Sequence, residues 1–263
     1  MKLIICSEKD IASRNMWDMF IENFGFKETN GQYGGFRIYK KNDFFLAKSP
    51  KGIIEISDLD KFFEAEYYVF ASPHSSKKGT PCLTVHATGN FSDNMFGGNK
   101  KELGIAPSSL MKNAFLNLIK DNLTEFPVSL EVTHHGPTNL KKPVLFVEVG
   151  SKESEWNNKK AVETVCKAIL GLKKEKGVSA IGFGGPHYAP NFTKKELNTE
   201  LMFGHICPKY QSSYLDRELI MQMIEKTTPK PEKAIIDWKG LRGKERELII
   251  KILDELGLKW EKL

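Results

Sequence analysis

The chain has 263 residues, enough to bury a full core, and its 40% hydrophobic and 27% charged residues are ordinary for a folded globular protein. No apolar run nears the roughly 20 residues of a membrane span, and Met1–Cys6 is too short for a signal peptide and runs straight into charge. A net charge of +6 permits an anionic partner such as RNA without demanding one. Cys6, Cys82, Cys166 and Cys207 show no CxxC spacing, so they read as reduced thiols of a cytoplasmic protein.

Lys2–Cys6 reads as a buried first strand. Asp10 is the expected N-cap of a helix to Phe24, with Ile11, Trp17, Phe20, Ile21 and Phe24 inward and Gly25 as its stop. Phe36–Tyr39, Phe44–Lys48 and Ile53–Ser57 are short predicted strands separated by Gly, Asn or Pro, which makes one edge of the sheet antiparallel or mixed. Tyr67–Ala71 is a further strand leading into Ser72-Pro-His74, and Thr80–Thr88 is another, with His86 inside it. Phe91–Ala106 lacks periodicity and is rich in Gly, Asn and Lys, so it reads as a long loop, functional or disordered, expected with Ser75–Gly79 to border the site.

Pro107 suits the first turn of a helix over Ser108–Asn122. Strands follow at Pro127–Thr133 and Pro143–Val149, then one helix from about Ser154 to Leu170 ended by Gly171. Val178–Phe183 is a strand running into Gly184-Gly-Pro-His187, and Thr193–Glu196 fits a capping box. Leu201–Cys207 and Ala234–Trp238 complete the strands; helices near Asp216–Lys226 and Lys244–Leu256 complete the chain. Strands alternating with helices from residue 107 onward predict one α/β domain spanning 1–263, a three-layer α/β/α sandwich with a mixed, largely parallel sheet.

The six histidines collect where strands end or glycine and proline turn the chain: His74, His86, His134, His135, His187 and His205. In α/β sheets ligands gather beyond the carboxyl ends of strands. Glu131-Val-Thr-His-His-Gly-Pro137 carries two of them into a Gly-Pro turn, and on an extended backbone only one of the pair should face a shared site. None lies in a predicted helix, so no HExxH motif exists. Two or three neutral imidazoles with a carboxylate suit zinc, which keeps a position for water and lowers its pKa to about 7.

The expected ligands are His74, His134, His187 and His205 with Glu148, which ends its own strand; Glu131 is the second choice of carboxylate. His86 is the member expected to be a satisfied core residue. The competing reading for each histidine alone is a hydrogen-bonded loop residue. Glycines after a strand let backbone N–H groups approach a phosphate or oxyanion, so Gly184 and Gly185, with Thr133 and Tyr188, are expected beside the substrate. They form neither GxGxxG nor a P-loop, and a plain tight turn is the alternative. Lysine pairs such as Lys100-Lys101 and Lys194-Lys195 are solvated surface or phosphate contacts.

Ser72-Pro-His74, Thr80-Pro-Cys-Leu-Thr-Val-His-Ala-Thr-Gly-Asn90, Glu131–Pro137, Gly184-Gly-Pro-His-Tyr-Ala-Pro190 and Gly204-His205-Ile206 resemble, in order, the motifs of the D-aminoacyl-tRNA deacylases of archaea and plants. The resemblance covers nearly the whole chain. It implies a phosphorylase/hydrolase-like α/β/α fold, zinc as cofactor, and hydrolysis of the ester joining a D-amino acid to the tRNA 3′ end. His134, His135 and His187 are the expected catalytic residues, with His135 or a metal-bound water as the proton donor to the departing ribose oxygen. The partner is aminoacylated tRNA, with no membrane and no obligate protein partner. The alternatives are a zinc peptidase or amidohydrolase, whose turnover would resist salt, and a non-catalytic RNA-binding protein using its lysines.

Overall fold

The computed structural model describes residues 1–93 and 96–263. Asn94 and Met95, inside the expected loop Phe91–Ala106, lie outside the described residues. In chain order the elements are β1 Lys2–Ser7, α1 Ile11–Glu22, β2 Lys27–Tyr33, β3 Phe36–Lys41, β4 Phe44–Ser49, β5 Tyr67–Ser75, β6 Cys82–His86 and β7 Ala106–Pro107. Then come α2 Ser108–Lys120, β8 Val128–Leu130, β9 Val144–Ser151, α3 Glu153–Trp156, α4 Lys159–Leu170, β10 Val178–Phe183, α5 Pro190–Asn198 and β11 Leu201–Cys207. The chain closes with α6 Arg217–Glu225, β12 Thr227–Thr228, β13 Lys233–Ile236, α7 Gly243–Glu255 and β14 Lys259–Lys262. Among the described residues no helix is long and apolar enough to cross a membrane.

The α/β class and the mixed, largely parallel sheet expected from the sequence are both present. The contacts divide the chain into two compact units, each assembled from three stretches: 1–85, 114–128 and 140–172 in the first; 86–113, 129–139 and 173–263 in the second.

The first unit carries a sheet ordered β2-β3-β4-β1-β5-β9-β6-β8, whose strand β8 runs on across the division between the units. β1 runs parallel to β4 and β5, and β5 parallel to β9, while β2, β3 and β4 form the antiparallel edge. All eight residues of β9 are buried, the near-continuous apolar run of a strand covered on both faces. α1 buries Ala12, Met16, Trp17 and Phe20, a stripe at helical spacing. One core gathers Leu3, Ile5, Phe70 and Phe146 with Ile53, Ile56 and Leu59; the Phe70 and Phe146 rings stack at 4.6 Å.

Several local expectations change. Ile53–Ser57 is not a strand: Ile53–Glu55 is a 3-10 turn, because Gly52 N–H donates to Glu55 Oε2 and Ile53 N–H to Asp10 Oδ2. Ile53 and Ile56 therefore reach the core at a spacing of three, not two. Asp10 sits at the N-cap position but spends its carboxylate on that turn rather than on the helix. The single helix expected over Ser154–Leu170 breaks into α3 and α4, since Asn158 Oδ1 caps the amides of Lys160 and Ala161.

The second unit holds a four-stranded all-parallel sheet, β11-β10-β13-β14, and a two-stranded pair, β12-β7. Ile181, Phe183 and Ile236 from the sheet pack with Leu219, Ile220 and Met223 of α6 and Ile249 and Leu253 of α7. Thr193–Glu196 is not a capping box, because α5 already begins at Pro190. Thr193 Oγ1 accepts from Leu130 N–H, and buried Glu196 accepts from Phe203 N–H at 2.7 Å, which ties α5 to β11.

Candidate active site

The candidate site lies in the second unit, around the turn that follows β8. Thr133 fixes that stretch: its N–H donates to Ile206 O, its Oγ1 accepts from Ile206 N–H, and Val132 N–H donates to His187 O. His135 then adopts a left-handed backbone, φ 45°, before the cis Gly136-Pro137 bond. That single residue breaks strand alternation, so both rings of the pair join one group, with centroids 4.5 Å apart. His86, the last residue of β6, completes it, 4.1 Å from His134 and 4.8 Å from His135.

Each of these three imidazoles turns Nδ1 to a main-chain carbonyl: His86 to Ala87 O at 3.1 Å, His134 to Val132 O at 2.7 Å, His135 to Gly136 O at 2.7 Å. A neutral ring so placed carries its proton on Nδ1 and its lone pair on Nε2. Ligand atoms of the three lie within 4.8 Å of one another, so they form a group able to hold a metal ion. Burial first, then the neighbouring His86 and His135, holds His134 well below the ordinary imidazole range, with Glu131 pulling the other way. Neutral imidazole is the form that binds metal.

Next to the three histidines stands a carboxylate–imidazole pair. Glu131 is only 1% exposed, and its Oε1 lies 3.3 Å from His187 Nε2, while its Oε2 lies 3.9 Å from His134 Nε2. The other nitrogen of His187 faces the Tyr210 hydroxyl at 3.3 Å. Burial and then the Glu131 charge push the Tyr210 phenol up to about 12, so it stays protonated. His187 and His134 rings are 4.7 Å apart. A pocket of about 470 Å³ opens over this group. His134, His135 and His187 line it together with Phe91, Ser92, Asp93 and Phe96, and with Tyr210, Gln211 and Tyr214.

His205 takes a different place: its buried ring accepts from Thr133 Oγ1 at Nδ1 and donates from Nε2 to Gly104 O, so both nitrogens are engaged and its pKa falls to about 4. Gly184 and Gly185 have φ of 103° and 80°. Gly184 N–H donates to Cys207 O and Gly185 O accepts from Lys209 N–H, so these glycines turn the chain toward His187 and do not aim that amide at a ligand. Tyr188 packs its ring edgewise on His187 at 5.3 Å. His74 and Glu148 belong to the first unit, where Nδ1 and Oε2 stand 3.4 Å apart, Thr84 Oγ1 donates to the same carboxylate, and Trp156 Nε1 donates to His74 O.

Sequence reasoning left His86 in the core, ranked Glu131 second and passed over Tyr210. A usable signal existed for Glu131: a carboxylate three residues before a histidine, at the end of an apolar strand. Nothing local marks Tyr210, which reaches His187 across 23 residues.

The sequence profile of the D-aminoacyl-tRNA deacylases matches residues 61–261. The chain belongs to the D-aminoacyl-tRNA deacylase family. Members from Thermococcus onnurineus and Pyrococcus furiosus, each described as a D-aminoacyl-tRNA deacylase, are 41% identical to it over 270 residues, covering 99% and 100% of both chains respectively. The family member of Methanocaldococcus jannaschii is 38% identical over 277 residues, covering 99% of each. A crystal structure of a conserved protein of unknown function matches all of this chain and 95% of its own, at 35% identity and a TM-score of 0.91.

Proposed function

We propose that this member of the deacylase family hydrolyses the ester between a D-amino acid and the 3′ end of tRNA, releasing the amino acid and the tRNA. The observation that carries the reading is the His187–Glu131 pair beside the imidazoles of His86, His134 and His135, at an open pocket in a chain of this family. Two requirements of ester hydrolysis are a base for the attacking water and an acid for the leaving oxygen. His187 meets both. Glu131 Oε1 stands 3.3 Å from His187 Nε2, so a proton held on that side would face the buried carboxylate and leave Nδ1, beside the Tyr210 hydroxyl, to take a proton from water. The water oxygen then bonds to the carbonyl carbon. As the carbon–oxygen bond to the ribose breaks, the same proton passes to that oxygen.

His86, His134 and His135 fit zinc, with three Nε2 donors fixed from behind by main-chain carbonyls. When bound there, zinc supplies positive charge and Lewis acidity for the oxyanion that develops. The ester is the same for both enantiomers, so selection against L-amino acids falls to the pocket walls. A tRNA substrate and four cysteines in no disulfide support a cytoplasmic address.

The test is single-turnover hydrolysis of matched D- and L-aminoacyl-tRNA. His187→Ala and Glu131→Gln should each slow the D-substrate by about 100-fold or more, with tRNA affinity kept within about threefold because phosphate contacts supply most of it. Near-normal rates in both variants would remove the pair from the chemistry. No hydrolysis by the unaltered, zinc-loaded protein would remove the function itself.

A further inference from the structure

Aromatic side chains normally hide from water, yet Phe96, Tyr210 and Tyr214 are 64%, 53% and 49% exposed. Among the described residues the only other exposed aromatic is Phe62. Three of the four therefore stand around one pocket, the one floored by the histidines. Exposed apolar surface concentrated at a cleft marks a binding site rather than chance.

The main chain that presents these rings is also held in place. Phe96 O accepts from Gly136 N–H at 3.0 Å, so the residue after His135 anchors the residue that presents the ring. Gly136 has no room for a side chain, because a Cβ there would stand 2.3 Å from Gly98 N and 2.6 Å from Gly97 C. Tyr214 closes a 3-10 turn, its N–H donating to Gln211 O. Ser92 Oγ donates to Gln211 Oε1 at 2.8 Å and ties the two stretches together. Rings carried on anchored main chain and open to water suit a flat partner.

We propose that Phe96 and Tyr214 grip the unpaired nucleotides at the 3′ end of the substrate tRNA by base stacking. This rests on the deacylase reading, because the scissile ester hangs on the last ribose, and with that bond at the pocket floor the terminal bases must cross the rim. Every base has a π-face, so aromatic stacking accepts any sequence. Single-stranded RNA ends are the form whose bases can be splayed onto such rings. Tyr210, tied to His187, belongs to the reaction and is left out of the test.

The experiment compares unaltered protein with Phe96→Ala, Tyr214→Ala and the double variant on D-aminoacyl-tRNA. Each single change should raise KM about five- to hundredfold, the range for losing one stacked base, with kcat within about threefold. The effect should persist at high salt, unlike the loss of a lysine–phosphate contact. Deacylated tRNA should inhibit the double variant correspondingly less, whereas tRNA trimmed of its unpaired 3′ nucleotides should bind unaltered protein and double variant equally. An unchanged KM overturns the proposal. So does a trimmed tRNA that still distinguishes the two proteins, or a KM effect that follows the amino acid rather than the nucleotides. Absence of hydrolysis by the unaltered protein would strike the deacylase reading instead, and binding titrations with intact and trimmed tRNA would still read the rim.

Discussion

Glu196→Gln should make the protein more stable above neutral pH and change little in acid. Glu196 is fully buried on α5; Oε2 accepts from Phe203 N–H, and Oε1 is buried with no hydrogen-bond partner among the described residues. Burial pushes the carboxyl from 4.5 up to about 8, against the opposing pull of Phe203 N–H and Lys112. The native state therefore holds the proton more tightly than the unfolded chain. The stability this contributes is complete below pH 4.5 and drains away as pH rises through about 8. A rise from 4.5 to about 8, at about 1.4 kcal/mol per unit, sets a ceiling near 5 kcal/mol above pH 8, and about 3 kcal/mol at pH 7. The ceiling falls by whatever water reaches the ionised group. Glutamine keeps the acceptor for Phe203 and cannot ionise. Urea unfolding of both proteins at pH 5, 7 and 9 should give a difference that grows with pH in the variant's favour. A difference constant across that range would refute the buried-acid account.

Three further outcomes follow from the same geometry. His205 titrates near 4 in the fold and near 6.5 unfolded, so its contribution is complete above pH 6.5 and lost as pH falls toward 4, up to about 3 kcal/mol; His205→Gln should flatten the stability curve in that window, read by denaturant melts. Gly136→Ala should cost about 1–3 kcal/mol by overpacking against the Gly97–Gly98 backbone and should weaken substrate binding by displacing Phe96, seen as lower urea midpoint and higher KM together. Added zinc at a hundred times its dissociation constant should stabilise the protein by about 2.7 kcal/mol in thermal melts, and His135→Asn should abolish that shift.

How much of this was legible depends on whether the signal is local. The buried strands β1, β5, β9 and β10 show themselves as apolar runs, and α1, α6 and α7 by apolar residues at helical spacing. β2 escaped because Lys27–Tyr33 buries only Tyr33, leaving an edge strand with no alternation to read. The Ile53–Glu55 turn was misread because its deciding partner, Asp10, lies 43 residues away. At the site, histidines near turns were visible, but the left-handed backbone at His135 was not. That one residue decides that two neighbouring rings face the same way. The Glu131–His187 pairing spans 56 residues, brought together beside the main-chain bond from Val132 to His187.

The interleaved construction of the second unit bears on how the enzyme comes into being. Its stretches 86–113, 129–139 and 173–263 cannot be cut out as one fragment, so limited proteolysis or a truncated gene will not yield a working catalytic piece. During synthesis His86, His134 and His135 emerge well before His187, and at about 5–20 residues per second the gap of 52 residues lasts roughly 3 to 10 s. Tyr210 and Tyr214 come later still. A nascent chain thus carries the three imidazoles proposed to hold zinc before the proposed base, and the proposed site is complete only once translation has passed residue 214.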